Sequence, residues 1–529
     1  MKEILMFNKI NKIEPYIFFV ILLINVAPVF GVKYFVTLDG GAHCNNVNII
    51  RTLLIEPSSI YSNIYMINPE FVPNWSGHFV LVVLGFFFKY YISEKILIAI
   101  VLILLPVFFR EIVKKIAPQN IFISFLFFPF THYILLYLGF YNFTLGVLFF
   151  FILISFWLKN HEKMNGYLYA VLTCLFFAIY FSHLFVFIVS VLFVGIHILF
   201  SDGACAEKEA IKRLLKKGTP ALLCALPFLF LTTNYFISRP AKAPAEVLYL
   251  PKEKIVKMIK EGEVFTTSYN EMPYAKIIVF ILLFLFLLAI TNKLIRLWNA
   301  DKKGDELKLF LKKPAFVFLV LTILLFSLAF VLPNDDGYGG YITIRFVYLG
   351  LIFLLLFSCD QTILGTGFNI LLISVSSFLY FNIMVSKKEG ISWRSQERKV
   401  LEPAFDIITQ NATVFHVNLA NKTDWLMGHL VENIGAEKSA LILNNYEASK
   451  GYFPITWNCS QRTNYVAGEY NFVMNDCGNS IINETREADF VLIYGDKTDN
   501  VEYLQIISRI KNNYKIVYES TQVNLFKKL

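Results

Sequence analysis

The feature that most limits what this chain can fold into is a series of apolar runs separated by short polar or basic loops. The runs lie near residues 16–36, 78–92, 95–113, 120–138, 141–158, 167–182, 183–200, 219–237, 276–297, 314–332, 343–359 and 363–386. Most are long enough for a helix to cross a bilayer, which takes about 20 residues at about 1.5 Å each. A chain of 529 residues that is 56% hydrophobic and 16% charged, with 54 phenylalanines, does not suit one soluble domain. The sequence is that of a polytopic α-helical membrane protein. Its net charge of +9 does not indicate nucleic acid, because the lysines and arginines sit mainly in the short loops, where they act as topology determinants. The segment Met1–Lys12 is polar and basic with no small-residue cleavage site, so Tyr16–Val36 is expected to be a retained membrane helix.

Five basic clusters should face the cytoplasm: Lys2/Lys9/Lys12, Arg110/Lys114/Lys115, Lys159/Lys163, the group from Lys208 to Lys217, and the group from Lys293 to Lys313. Twelve full crossings cannot place them so. The parity works if 78–92, which is short, lies at the interface or re-enters, leaving about eleven crossings. Alternatively 78–92 crosses and 167–200 crosses once as a long helix, which puts two basic loops outside. The first arrangement is preferred. Both put the first loop, residues 38–77, and the C-terminus on the side away from the cytoplasm.

The composition changes near Val385. Residues 1–386 form the membrane part, and 387–529 are polar with short strand-like runs at 412–419, 440–444, 488–494, 514–519 and 522–526 and a helical stretch near 501–511. Strands alternating with helical segments predict a small α/β domain, extracytoplasmic in either topology. Cys205 falls in a cytoplasmic loop. Cys459 and Cys477 fall in the external domain, where a disulfide between them would be worth roughly 3 kcal/mol. No Cys or His spacing suggests zinc.

The first external loop opens on Asp39-Gly40-Gly41-Ala42-His43. Asp39 is a candidate general base facing water beside lipid, and His43, four residues on, shares a helical face with it. The structural alternative is that Asp39 caps the helix that follows, by accepting its amides. Residues 48–55 read as an amphipathic turn or two lying on the membrane. A second cluster, Asn334-Asp335-Asp336-Gly337-Tyr338-Gly339-Gly340-Tyr341, is followed by Arg345 at a helix start. Asp335, Asp336 and Tyr338 are substrate-binding candidates, and Arg345 suits bidentate phosphate binding with its stem in lipid. Arg239 and Lys242 are further phosphate candidates. His183, at a hinge between two runs, is a substrate-binding candidate, whereas His132 suits a hydrogen bond between helices. The segments Asn444–Glu447 and Gly451–Trp457 suit either sugar stacking or packing of the domain.

Taken in order, Asp39–His43 after the first helix, Gly139-Phe140-Tyr141-Asn142-Phe143, Ser182-His183-Leu184, Gly339–Phe346 and the external α/β tail with Asn444–Glu447 and Phe453-Pro454 resemble the GT-C class of membrane glycosyltransferases. The resemblance covers nearly the whole chain as architecture. It implies an inverting enzyme of a bacterial inner membrane that moves a hexose or pentose from a polyprenyl-phosphate donor to a glycan, lipid or protein acceptor. It makes Asp39 the base or the group that orients the acceptor, with His43 as a catalytic partner orienting Asp39 or the acceptor. Many members carry two adjacent acidic residues where this chain has Asp39-Gly40, so whether a divalent cation takes part stays open. No other cofactor is implied. The rival readings are a transporter or flippase of lipid-linked glycans, a polymerase or ligase with similar substrates, and a non-catalytic membrane assembly protein.

The topology has a direct test. A reporter enzyme that works only in the cytoplasm, fused after Leu529, should be silent; cytoplasmic activity would exclude both arrangements.

Overall fold

The computed structural model describes residues 2–201, 208–239, 247–361, 365–420, 424–461, 463–472, 484–497 and 500–529. Cys205, Lys242 and Cys477 lie outside them, and with them the expected Cys459–Cys477 pairing. The chain is mostly helical. Among the described residues, nine helices are long and apolar enough to cross a membrane: Lys12–Phe30, Tyr90–Ile116, Pro118–Tyr137, Tyr141–Asn160, Leu215–Ile237, Tyr269–Asn299, Pro314–Val331, Ile342–Cys359 and Gly367–Ile407. Of the eleven runs expected to cross, nine overlap these helices and two overlap the shorter apolar helices Gly166–Ser182 and Leu184–Phe200. The segment assigned to the interface contains a helix of 10 residues, Ser76–Gly85, about half the length that spans a bilayer.

The chain packs as two compact units. The first comprises Met1–Ala27, Ile100–Leu135 and Phe143–Lys388. Its centre is the helix Ile342–Gln361, apolar and buried almost all round, which packs on Pro314–Val331 and on Met272–Asn299. Some polar groups inside this unit are satisfied by one another. The carbonyl of Asn25 lies 2.8 Å from His132 Nε2, and its side-chain oxygen accepts from Thr131 at 2.7 Å and Tyr380 at 2.5 Å. His132 thus makes the interhelical hydrogen bond its position suggested. Lys387 and Glu271 form a fully buried ion pair at 2.5 Å, with Thr267 and Ser268 also donating to the carboxylate.

The second unit comprises Pro28–Ala99, Leu136–Asn142 and Glu389–Leu529. Its C-terminal part begins at Glu389, four residues past Val385, and the unit also includes the whole first loop. A mixed five-stranded sheet runs in the order Leu441–Ile442, Thr413–Asn418, Phe490–Tyr494, Val523–Lys528 and Tyr514–Glu519. The first three strands are parallel and the last two antiparallel. These are the five strand-like runs of the sequence, and the helix Val501–Ile510 follows with Asn500 capping two of its amides. Leu401, Phe405, Val414, Leu492, Tyr494 and Leu525 form the core beneath the sheet.

The first loop enters this domain by strand pairing. Tyr65–Ile67 pairs antiparallel with Ile455–Trp457, and the rings of Tyr65 and Trp457 stack at 5.1 Å. The helix Gly40–Ile55 packs on Asn433–Lys438, and Asn48 donates to the Gly435 carbonyl at 3.0 Å. From Gly40 to Asn46 every residue of it is buried; only its last residues, Leu54 and Ile55, are exposed hydrophobics. The segment 48–55, expected to be amphipathic, is the half-exposed end of this helix: Ile49, Ile50 and Leu53 are buried and Leu54 and Ile55 are exposed. The close approach has a sequence cause at Gly41, where a Cβ would lie 2.1 Å from the carbonyl oxygen of His429.

Gly41→Val should therefore cost about 2 kcal/mol or more by forcing backbone apart. Gly166→Ala, whose Cβ meets nothing within 4 Å, is the control. Thermal unfolding in detergent checks both; equal midpoints would show that this contact does not hold the domain.

Candidate functional site

The helix Gly40–Ile55 starts directly after Asp39, which occupies the N-cap position with φ −91° and ψ −4°. Its carboxylate makes no capping hydrogen bond. The capping alternative is thereby corrected, because an N-cap side chain bonds back to its helix amides only from an extended backbone conformation. Asp39 contributes instead through its backbone: its N–H donates to Leu138 at 3.2 Å and its carbonyl accepts from His43 at 2.9 Å. Gly139, at φ +78°, folds over it so closely that a Cβ there would sit 3.0 Å from both the Asp39 Cβ and the Asp39 nitrogen.

Freed from the helix, the buried carboxylate of Asp39 faces His429, with Oδ1 3.7 Å from Nε2; the nearby Tyr446 hydroxyl donates to Glu447 at 3.4 Å. Burial raises its proton affinity, and the nearby His429 and His43 oppose that rise. His429 is held on its other side by Glu432, with Nδ1 2.5 Å from Oε1, and stacks on the ring of Tyr446 at 4.4 Å. Burial alone would lower the His429 pKa, but Glu432 and then Asp39 push it up to about 9. It is an imidazolium at neutral pH.

A second cluster sits one helical turn on. His43 Nδ1 lies 2.8 Å from Glu447 Oε1, and its Nε2 lies 2.9 Å from the Gly139 carbonyl. With both ring nitrogens facing acceptors, His43 is held as the cation. Burial lowers its pKa, but Glu447 overcomes that and raises it to about 9. Glu447 is completely buried. Its second oxygen lies 3.1 Å from His78 Nε2 and accepts from the Asn46 amide, which Asn445 fixes by donating to the Asn46 oxygen at 2.6 Å. Against the effect of burial, these partners hold the Glu447 carboxyl well below the usual range, while burial lowers His78 and keeps it neutral. The ring planes of His43 and His78 meet edge to face at 4.9 Å.

His43, His78 and Glu447 are also the residues that could hold a metal ion, since their donor atoms all lie within 4.8 Å of one another. The ligand types suit a borderline divalent cation. The arrangement here favours a proton: the Gly139 carbonyl and Glu447 share an imidazolium between them, and the Asn46 amide already fills a lone pair of Glu447.

Of the residues singled out in the sequence, Asp39 and His43 come together in the second unit. His78, His429, Glu432, Tyr446 and Glu447 join them; His78, His429 and Glu432 had been assigned no role, whereas Tyr446 and Glu447 belong to the segment read as suiting sugar stacking or packing. The Asn444–Glu447 segment carried a signal, but His429 stood beside no recognisable motif. The other candidates lie in the first unit. His183 and Arg345 flank the ring of Phe143, His183 edge to face at 5.0 Å and the Arg345 guanidinium 6.0 Å from its centroid. Asp335 and Asp336 accept amides of their own loop, from Gly337 at 2.8 Å and from Tyr338 and Gly339 at 3.0 and 2.8 Å. Arg239 pairs with Asp336 at 3.2 Å and packs on the rings of Tyr235 and Tyr338. These four residues form a closed polar knot.

The two raised histidines make stability depend on pH. A histidine whose folded pKa lies above its unfolded value stabilises fully below about 6.5, and that contribution is lost as pH rises through the folded value. For His43 and His429 that value is about 9. The unfolding midpoint should fall between neutral pH and about 10, and Glu447→Gln should remove the His43 share of that fall. An alkaline limb unchanged in Glu447→Gln would show that the pair is not charged.

Compared with models of known families, the chain matches none, and no curated protein matches it.

Proposed function

We propose that the protein is a membrane glycosyltransferase that moves a sugar from a polyprenyl-phosphate donor to an acceptor hydroxyl on the side away from the cytoplasm. The observation that carries the reading is the state of Asp39: a carboxylate placed at a helix start, not used as a cap, buried, and set beside an imidazolium. A base for a sugar or lipid hydroxyl needs raised proton affinity while remaining ionised. Burial supplies the first and His429 the second. In the transfer, the acceptor oxygen bonds to the anomeric carbon as its proton passes to Asp39. The bond from that carbon to the phosphate oxygen breaks, and the lipid phosphate leaves with the electron pair. The departing phosphate needs positive charge, for which Arg345 is the candidate that the sequence offers. Tyr446 and the neighbouring aromatic rings suit the acceptor or the sugar. The GT-C resemblance supports the same assignment of Asp39.

A lipid-linked glycan transporter or flippase is the second reading, favoured by the buried Lys387–Glu271 pair, since an ionisable pair between spanning helices marks transport pathways in other folds. Flipping of a labelled lipid-linked sugar in vesicles would support it.

The deciding experiment incubates the purified protein with a panel of polyprenyl-phosphate sugars. Asp39→Asn should lower transfer by roughly 100-fold or more with an unchanged unfolding midpoint. Full activity in that variant would remove Asp39 as the base. Absence of transfer by the wild type from every donor, together with flipping activity, would replace the reading by the second.

A further inference from the structure

The second unit contains a cavity of about 330 Å³ that the proposed transfer does not use. It lies between the outer face of the helix Gly40–Ile55, the end of the short helix Ser76–Gly85 and the start of the helix at Tyr90. Its polar lining includes Lys33, Asn48, Arg51, Lys89, Tyr90 and Glu437, with Tyr34, Tyr91 and Ser93 beside them. Two of the charges are already answered. Lys33 pairs with Glu402 at 2.6 Å, and Glu437 pairs with Arg398 and takes a hydrogen bond from Tyr90 at 3.0 Å. Arg51 and Lys89 have no ion-pair partner among the described residues, and Arg51 Nε is buried without a hydrogen bond. The cavity therefore carries two uncompensated positive charges.

Its rim is apolar and open. Phe86, Phe87 and Phe88 are 49%, 76% and 46% exposed, and Phe79, Leu54 and Ile55 are exposed beside them. Such a contiguous patch marks a surface meant for an apolar partner. Arg51 is placed by this rim: its guanidinium carbon sits 5.1 Å over the Phe86 ring, and its side chain lies along Gly85, where a Cβ would come within 3.3 Å. A guanidinium preorganised at the mouth of a pocket matches a phosphate, and three phenylalanines outside it match hydrocarbon.

We infer that this cavity binds the phosphate of an anionic membrane lipid, with Arg51 and Lys89 on the phosphate oxygens and the lipid chain along Phe86–Phe88. The ligand has both parts because the site has both: an inorganic phosphate would leave the aromatic rim bare, and an uncharged lipid would leave the two cations unpaired. Its lining includes neither Asp39 nor His43, so it stands whether or not the protein transfers sugars.

The test is native mass spectrometry of the full protein in an uncharged detergent, titrated with phosphatidic acid. Diacylglycerol of the same chains and inorganic phosphate are the comparison probes. Wild type should retain one tightly held phosphatidic acid, and Arg51→Gln with Lys89→Gln should weaken it by about tenfold or more. Lys89→Gln alone, at an exposed position, should weaken it several-fold without affecting the fold. Gly85→Leu, which fills the notch under Arg51 and leaves both charges, should also lose the lipid. Equal retention in Lys89→Gln and wild type overturns the inference. So does diacylglycerol bound as tightly as phosphatidic acid, or inorganic phosphate that displaces it at matched concentration. Sugar transfer measured on the same variants separates this site from the reaction: loss of lipid with transfer intact removes nothing from the proposed function.

Discussion

Much of the second unit depends on one buried carboxylate. Glu447 comes from a segment about four hundred residues beyond His43, yet it meets His43, His78 and Asn46 at once. Removing a carboxylate of this kind from water costs several kcal/mol unless charge and hydrogen bonds replace the solvent. Here an imidazolium, a neutral imidazole and an amide do so. The consequence is registry: the helix Gly40–Ile55, the helix Ser76–Gly85 and the C-terminal domain have one arrangement in which no charge is stranded. The strand pair Tyr65–Ile67 with Ile455–Trp457 fixes the same relation from the other side of the loop.

What the sequence made legible follows from the range of each interaction. The apolar runs depend on local composition, and each reappears as a helix or part of one. The five strands of the C-terminal sheet, from Thr413–Asn418 to Val523–Lys528, depend on local β-propensity and were placed to within a few residues. The Asp39–His43 pair rests on a spacing of four, and both residues lie in the buried cluster. The fold of residues 38–77 onto the C-terminal domain was not legible, because it depends on pairings across nearly the whole chain. Gly41 illustrates this. In sequence it is one flexible residue after Asp39. Its need to be glycine arises from the carbonyl of His429, which no local pattern announces.

The same distinction separates two polar clusters, one in each unit. The Asp335–Tyr338 loop is rich in groups that attract attention in a sequence, but its carboxylates are taken up by amides two and three residues away and by Arg239. Such local satisfaction is what aspartate and glycine do in turns. The residues that surround Asp39 are satisfied only at long range. A cluster that needs distant elements to neutralise it ties protonation to the fold itself.

Asp39 and Glu447 show why that matters for chemistry. Both are buried carboxylates and both lie close to His43, yet their environments drive them apart: Glu447 is held ionised by its two histidines and an amide, and Asp39 is pushed toward protonation by burial. Two acids with divergent proton affinity in one cluster make a division of labour. The low-affinity member keeps His43 charged and fixed. The high-affinity member is set beside His429 and the Tyr446 side chain, with burial raising its proton affinity. Its neighbour Gly139 admits the close backbone contact that leaves this carboxylate pointing away from its own helix. A glutamate at position 39 would carry the same charge, but its longer chain would alter the contact with His429, and an asparagine would keep the shape and lose the proton acceptor. The specific demand at this position is therefore a short carboxylate, held off its helix, beside a cation.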